Sequence, residues 1–348
     1  MWLTEEGRAP EFDEGTSRQA RLFLEQGFDY ERAGRTRRAE LRYLEAADLA
    51  RHANIWQIEA EGLRRLAVIR HHQGLHEDAR SFIGRSLALA EAAADSGARA
   101  QCLNVMGGLA LDVGDLAEAR RCFAEAAGLA QSRDDVLAKI EQNLGIVANV
   151  AGDLALAHSH YLRALEICRR LDDEHGVAVA YHNLGMNAAD RQNWSLADGY
   201  LKRALAIAIR THDLRLEGLC RLNRAEVLTG RQQYEDAWDQ AEAAQAIFSQ
   251  LGSLLEEADV YRVLGTIFRH IGRARMSESY LTAAARHAEH TGAVLTEAES
   301  WRELGRLHAD NGSEDRALEA FRQAANLFTR IGAQSDLAEV EARMATIG

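Results

Sequence analysis

Apolar residues along this chain recur at three- and four-residue spacing, the period of a helix face rather than of a strand. Tyr181, Leu184 and Ala188 mark one such face. After a short polar break, Ala197, Leu201, Ala204 and Leu205 mark a second. The two-helix pattern then repeats. YHNLGMNAADRQNWSLADGYLKRAL and WRELGRLHADNGSEDRALEAFRQAA superimpose without gaps, and so do four other stretches, with two weaker copies between them. A small residue opens the register at Gly27, Ala67, Gly107, Gly145, Gly185, Ala225, Gly265 and Gly305. The intervals are 40, 40, 38, 40, 40, 40 and 40 residues. Twelve positions on stand Ala39, Ala79, Ala119, Ala157, Ala197, Ala237, Ser277 and Ala317. Nineteen on stand Ala46, Ser86, Ala126, Ala164, Ala204, Ala244, Ala284 and Ala324.

Small side chains at fixed register let two helix axes approach closely where they cross. Gly145, Gly185, Ala164, Ala204, Ala244 and Ala284 are therefore expected to be buried at crossings. Gly-Asp pairs, at Gly114-Asp115 and Gly152-Asp153, supply the turn between the two helices of a unit. One helical hairpin cannot bury both its faces, so neighbouring units must stack into a solenoid. Composition agrees. Among 348 residues there is one proline, Pro10, so helix breakers are almost absent. The expected fold is all-α, with at least sixteen helices in antiparallel pairs and no sheet.

These features resemble the tetratricopeptide repeat (TPR) family. The resemblance rests on the small-residue register, the Leu-Gly pairs (Leu144-Gly145, Leu184-Gly185, Leu264-Gly265, Leu304-Gly305) and the Gly-Asp turns. It covers about residues 20–345. The usual unit is about 34 residues. The 40-residue unit is similar to the long repeats of spindle-orientation adaptors, kinesin light chains and bacterial TPR signalling proteins. The resemblance implies a right-handed α-α superhelical solenoid of about eight helix pairs with a C-terminal capping helix. The domain reading is a flexible leader at 1–15 and a single solenoid at 16–348. Its repeats run at about 20–59, 60–99, 100–137, 138–177, 178–217, 218–257, 258–297 and 298–337, with a cap at 338–348. In the cap, Leu337, Val340 and Met344 should face inward, and Asp336, Glu339, Glu341 and Arg343 should face water.

Charge and chemistry narrow the function. Lys+Arg total 41 against 53 Asp+Glu, a formal charge of −12, which disfavours nucleic acid as the main partner. No window is apolar enough to span a membrane, and the acidic start MWLTEEGRAPEFDEG is no secretory signal. Cys102, Cys122, Cys168 and Cys220 form no CxxC pair and read as buried reduced thiols, consistent with a cytoplasmic protein. Arg and Ala richness with little Lys suggests a GC-rich bacterial source. No nucleophile motif or phosphate loop is present, so no enzyme activity and no cofactor are expected. His71, His72 and His76 form the one dense histidine cluster. They read as solvated or groove-lining rather than metal-binding, since adjacent helical residues point apart.

In TPR proteins the first helix of each unit lines the concave face. Relative to the small residue of the Leu-Gly pair, the groove positions are −6, −3, −2, +1, +4 and +5. At −2 stand Asn143, Asn183 and Asn223, with Asn104, Gln142, His182 and Asn149 on the same face. Asparagine is a poor mid-helix residue, and its amide both donates and accepts. The ladder therefore suits the backbone of an extended peptide, although bonds to the adjacent helix would equally satisfy it. Arg64 and Arg65 gather at one end of this face, and Arg262, Arg269, Arg302 and Arg306 at the other. An acidic or C-terminal-carboxylate peptide would suit them; arginines paired with Glu61, Glu299 and Glu303 are the alternative. The Lys/Asn/Arg carboxylate clamp of chaperone-binding members is missing. The expected function is a non-enzymatic scaffold for a protein or peptide. The alternative is a sensor module whose superhelix changes shape on ligand binding, as in bacterial peptide-pheromone receptors.

Overall fold

The structure, a computed structural model, describes residues 14–130 and 133–347. It places seventeen helices there and, among the described residues, no strand. Eight hairpins follow one another: α1 (Glu14–Arg32) with α2 (Thr36–His52), α3 (Trp56–His72) with α4 (His76–Ala92), α5 (Ser96–Asp112) with α6 (Leu116–Leu129), and α7 (Asp134–Val150) with α8 (Leu154–Arg170). Then come α9 (Glu174–Asp190) with α10 (Trp194–Arg210), α11 (Leu214–Gly230) with α12 (Tyr234–Leu251), α13 (Leu254–His270) with α14 (Ala274–Thr291), and α15 (Val294–Asp310) with α16 (Glu314–Ile331). The last helix, α17 (Gln334–Ile347), packs on α16. The short 38-residue interval lies where α6 has 14 residues and most helices have 17.

Two boundary expectations shift. Glu14 and Gly15 belong to α1 rather than to a leader; the rest of that leader lies outside the described residues. The unit boundaries, and that of the cap at 338, fall about four residues late: α5 begins at Ser96 and α17 at Gln334. The boundaries were set from the small residue, whereas each helix starts at its cap, eleven positions before it.

The small-residue register works through size complementarity. Sixteen positions after each small residue comes the side chain that crosses it. Where the first is glycine, the second is large: Tyr43, Phe123, Tyr161, Leu201, Leu281 and Phe321. A Cβ on Gly107 would stand 2.6 Å from Phe123 Cε1, and one on Gly265 would stand 2.6 Å from Leu281 Cγ. Where the first is alanine, the second is never aromatic: β-branched Ile83 stands opposite Ala67 and Ala241 opposite Ala225. Ala164, Ala204, Ala244 and Ala284 are fully buried, and Gly145 and Gly185 are buried too, as the register requires.

The turns are built one way throughout. Seven residues after each small residue the chain is left-handed, as at Gly114 (φ 81°) and Gly152 (φ 84°), where a missing Cβ removes the steric cost. Gln192 (φ 58°) and Gln232 (φ 62°) occupy the same place without that advantage. The residue after Gly114 or Gly152 caps the next helix: Asp115 and Asp153 each accept a backbone N–H at 3.0 Å.

Odd-numbered helices touch the next odd-numbered helix all along the chain, and even ones make no comparable contact. The odd helices therefore lie at the smaller radius and form the concave wall. The superhelix also meets itself. Thr36 Oγ1 donates to the Leu251 carbonyl at 2.9 Å, and the His76 ring bonds the Thr291 carbonyl. Gly114 leaves no room for a Cβ against Ile331. Turns of the first units thus rest on junctions 215 to 217 residues later, and this seam closes the side of the groove, making it a channel. At the far end Val340 is buried, with Leu337 and Met344 packed beside it, so α17 covers the last apolar face. Asp336 and Glu339, expected in water, instead turn inward to Arg302 and Arg306.

Candidate functional site

The channel wall consists of the inner helices, and its polar side chains largely bond one another. Asn143 Nδ2 donates to Asn104 Oδ1 at 2.9 Å, one unit back. Asn223 Nδ2 meets His182 Nε2 at 2.6 Å, and Asn149 bonds Asp190. Asn187, which the groove register did not single out, donates to Asn149 Oδ1 and to the Leu154 carbonyl. The asparagine ladder therefore stitches adjacent inner helices together. Asn183 is buried; its Oδ1 lies 3.1 Å from His182 Nδ1, and its Nδ2 finds no partner. Gln142 leaves the set. It is buried, and its amide donates to the Gly176 carbonyl at the start of the next inner helix.

The arginines also differ from expectation. Arg262 pairs with Glu226, Asp259 and Glu299, and Arg269 with Glu303 and Asp310. Arg302 pairs with Glu299, Asp336 and Glu339, and Arg306 with Glu303 and Glu339. Four arginines meet seven carboxylates, with Arg343 adding one more cation at Glu339 from the exposed side. This half of the channel is net negative, so these four arginines offer no unpaired charge to an acidic ligand. The carboxylates feel the crowding. Burial, with Glu226, Glu299 and Asp336 nearby, pushes the Asp190 pKa up to about 6 against the hydrogen bond from Asn149. Burial, with Glu299 and Glu226, does the same to Asp259, which stays at about 6 despite Arg262. Burial also opposes ionisation of Glu303, but Arg306, Arg269 and Arg302 outweigh it and hold its pKa below the ordinary value.

The opposite end carries the other sign. Arg64 and Arg65 share Glu61, and Arg65 also reaches Glu31 at 3.7 Å. Burial raises the Glu61 pKa, but Arg64 and Arg65 outweigh it and hold it low. Beside them Lys139, at position −6 of its unit, has no ion-pair or hydrogen-bond partner among the described residues. Enclosure by protein, with Arg65 and Arg64 nearby, lowers its pKa. Lys139 and Asp190 nevertheless keep solvent-accessible surface. Lys139, Arg65, His72, Arg215 and Phe28 help line a cavity of about 740 Å³ between the first unit and the α11–α13 region. Positions −6 and +1 hold what the −3/−2 and +4/+5 reading missed: Lys139, Asp259 and Glu299 at the first, Glu226 at the second.

All four cysteines are buried, and among the described residues no group of three or more His, Cys, Asp or Glu side chains could hold a metal. No described helix is long and apolar enough to cross a membrane.

Stacked helical hairpins with a small-residue crossing register and a concave inner wall define a tetratricopeptide-repeat solenoid. The tetratricopeptide repeat family model matches residues 59–132 and 136–210, and the units on either side share the same geometry. No curated protein matches the sequence. Among solved structures, the chain is similar to a Rap protein crystallised with Competence and Sporulation Factor. That match has 12% identity and a TM-score of 0.64, over 95% of this chain and 98% of that one. It is also similar to apo RapI (13% identity, TM-score 0.58, 78% of this chain and 98% of that one). A third likeness is to a signal-transduction ATPase with a tetratricopeptide repeat sensor from Pyrococcus horikoshii. It has 15% identity and a TM-score of 0.58, over 97% of this chain but 53% of that one. At such identities the likeness is one of fold.

Proposed function

We propose that this chain is a non-enzymatic, cytoplasmic interaction module that holds an extended segment of a partner protein in its channel. The observation that carries the reading is Lys139, an unpaired ammonium inside a channel whose other end is surplus in carboxylate. Acidic groups of the segment would sit at Lys139, Arg64 and Arg65. Basic groups would sit toward Asp190, Glu226 and Asp259, and the side-chain oxygens of Asn143 and Asn223, whose Nδ2 groups bond within the wall, would meet its backbone N–H groups. A passage closed along its side favours a single extended chain over a folded partner. A sensor role is the second reading. It is favoured by the seam, because a ligand that prefers one spacing of the superhelical turns shifts the whole solenoid. The similarly folded Rap protein is recorded with a bound factor.

Each lost hydrogen bond or charge contact should cost ~0.5–1.5 kcal/mol, more where a charge is involved. A Lys139→Glu/Asn143→Ala/Asn223→Ala variant should therefore bind a captured partner segment at least tenfold more weakly by titration calorimetry, with unchanged helicity. Unchanged affinity would place the binding surface on the convex face or at a solenoid end.

A further inference from the structure

The seam contact at His76 is wired to a second histidine, and the wiring fixes where its protons must be. The Thr291 carbonyl can only accept, so the His76 Nε2 that meets it carries a hydrogen. On the neighbouring inner helix, His71 is buried, and its Nε2 stands 2.7 Å from Asp112 Oδ2, the geometry of a ring N–H donating to a carboxylate. The two remaining ring nitrogens, His71 Nδ1 and His76 Nδ1, face each other at 3.2 Å. Two bare lone pairs repel at that distance, and so do two N–H groups. One proton must lie between them. The Asp112 carboxylate stands against His71 and the Arg80 guanidinium beside the pair, so the shared proton rests on His71: the closed seam has His71 as an imidazolium, donating to Asp112 and to His76, and His76 as the neutral Nε2–H tautomer, donating to Thr291.

From this arrangement we infer that the seam of the superhelix is a proton-operated latch, in which the protonation of His71 selects the tautomer of His76 and so makes or breaks the bond to the Thr291 carbonyl. When His71 loses its proton, His76 must supply the one between the rings. It does so by moving its hydrogen from Nε2 to Nδ1. Its Nε2 then turns a lone pair toward the Thr291 carbonyl, and the seam bond is lost. The closed form binds one more proton than the open form, so closure is strongest at lower pH and weakens as pH rises through the histidine range.

The surroundings suit this role. His76 is held neutral: burial disfavours its charged form, and His71 and Arg80 reinforce this against the Thr291 carbonyl and Asp112. Arg80 of α4, Asp115 at the cap of α6 and Glu118 of α6 line the small cavity beside both rings. On the other side of His71 stands His72. Its Nδ1 accepts from Arg215 of α11, which is paired in turn with Glu256 of α13. Burial, together with Arg215 and His71, keeps His72 uncharged, so it does not compete for the proton. From α14 comes the Thr291 carbonyl, with Glu289 and His290 exposed just before it. Gly292, left-handed at φ 70°, leaves a Cβ-sized gap only 3.2 Å from His76 Nε2, so the ring is seated against bare backbone. The latch concerns the fold alone and stands whatever the channel binds.

The test follows histidine ring nitrogens by NMR in the ¹⁵N-labelled full chain, at about pH 5.5 and about pH 8.5, either side of the ordinary histidine value of about 6.5. Spin labels at Glu77→Cys and Glu289→Cys report the seam distance, the native cysteines being buried. At the lower pH, His76 should be the Nε2–H tautomer with a narrow label distance. At the higher pH it should become Nδ1–H, with a longer and broader distance. His71→Asn places an amide N–H where the Nδ1 stood, beside the His76 Nδ1 lone pair, so this variant should keep the short distance at both values. A His76 tautomer and seam distance that do not change with pH in the native sequence overturn the latch, with no variant needed. A pH response that survives His71→Asn overturns the role given to His71.

Discussion

The crossing of Gly305 and Phe321 offers a sharp test of how the repeats fit together. A Cβ at Gly305 would lie 2.5, 2.6 and 2.9 Å from three carbons of the Phe321 ring, where ordinary contact begins near 3.4 Å. The ring would have to retreat by about 1 Å, and it is fully buried. Overpacking of this kind costs ~1–3 kcal/mol, while Gly→Ala in a helix returns ~0.5–1 kcal/mol. Gly305→Ala should thus destabilise by a net ~0.5–2 kcal/mol. Phe321→Ile alone should also cost stability, ~1–3 kcal/mol, through the void it opens. The double variant recreates the Ala67/Ile83 pair that the second unit already uses. Its new methyl enters the void left by the ring, so its loss should fall short of the sum of the singles by ~1 kcal/mol or more. Urea midpoints of the four full-length proteins give the coupling. Additivity within ~0.5 kcal/mol would refute the claim that the two positions trade volume across the crossing.

Other outcomes follow from the same coordinates. Gln192 and Ala94 hold left-handed backbone that other turns give to glycine. Gln192→Gly and Ala94→Gly should each stabilise by ~0.5–1 kcal/mol, and a lower melting temperature in either would contradict the turn assignment. Asp190 titrates at about 6 in the fold against an ordinary 3.8, so the native state holds extra protons between those values and its stability falls as pH rises through them. Asp190→Asn should raise the melting temperature at neutral pH, and the gain should vanish at about pH 3, below both values.

Helix pairing, crossing residues and turn sites were legible because each depends on residues within one unit. Gly107 with Phe123, or Gly114 with Asp115, is a local decision taken within one unit. The groove register places the inner-helix asparagines on one face. It did not reveal whom they bond, because the Asn143–Asn104 and Asn223–His182 contacts depend on the rotation between units. That rotation also buries Gln142 against Gly176 and hands the arginines to carboxylates on adjoining helices. The reading of the histidine cluster as solvated or groove-lining did not include the seam bond of His76, because Thr291 lies one superhelical turn away in the chain. Superhelical pitch is the sum of many small packing angles, and no single unit's sequence encodes it.

Open repeat arrays behave as one-dimensional chains: units can be deleted or appended with effects confined to their neighbours. Contact between successive turns removes that freedom here. Thr36 with Leu251 and His76 with Thr291 share one offset of 215 residues, so the seam works like a vernier set by the number of intervening units. Removing one whole unit from the middle would leave every hairpin intact, yet no turn would meet its partner. Loss of the last hairpin would strip Ile331 from Gly114 and leave the third unit's turn uncovered, two hundred residues from the cut. Such a solenoid has a fixed count, and its evolution by repeat gain or loss is constrained in a way that the sequence of any one repeat does not disclose.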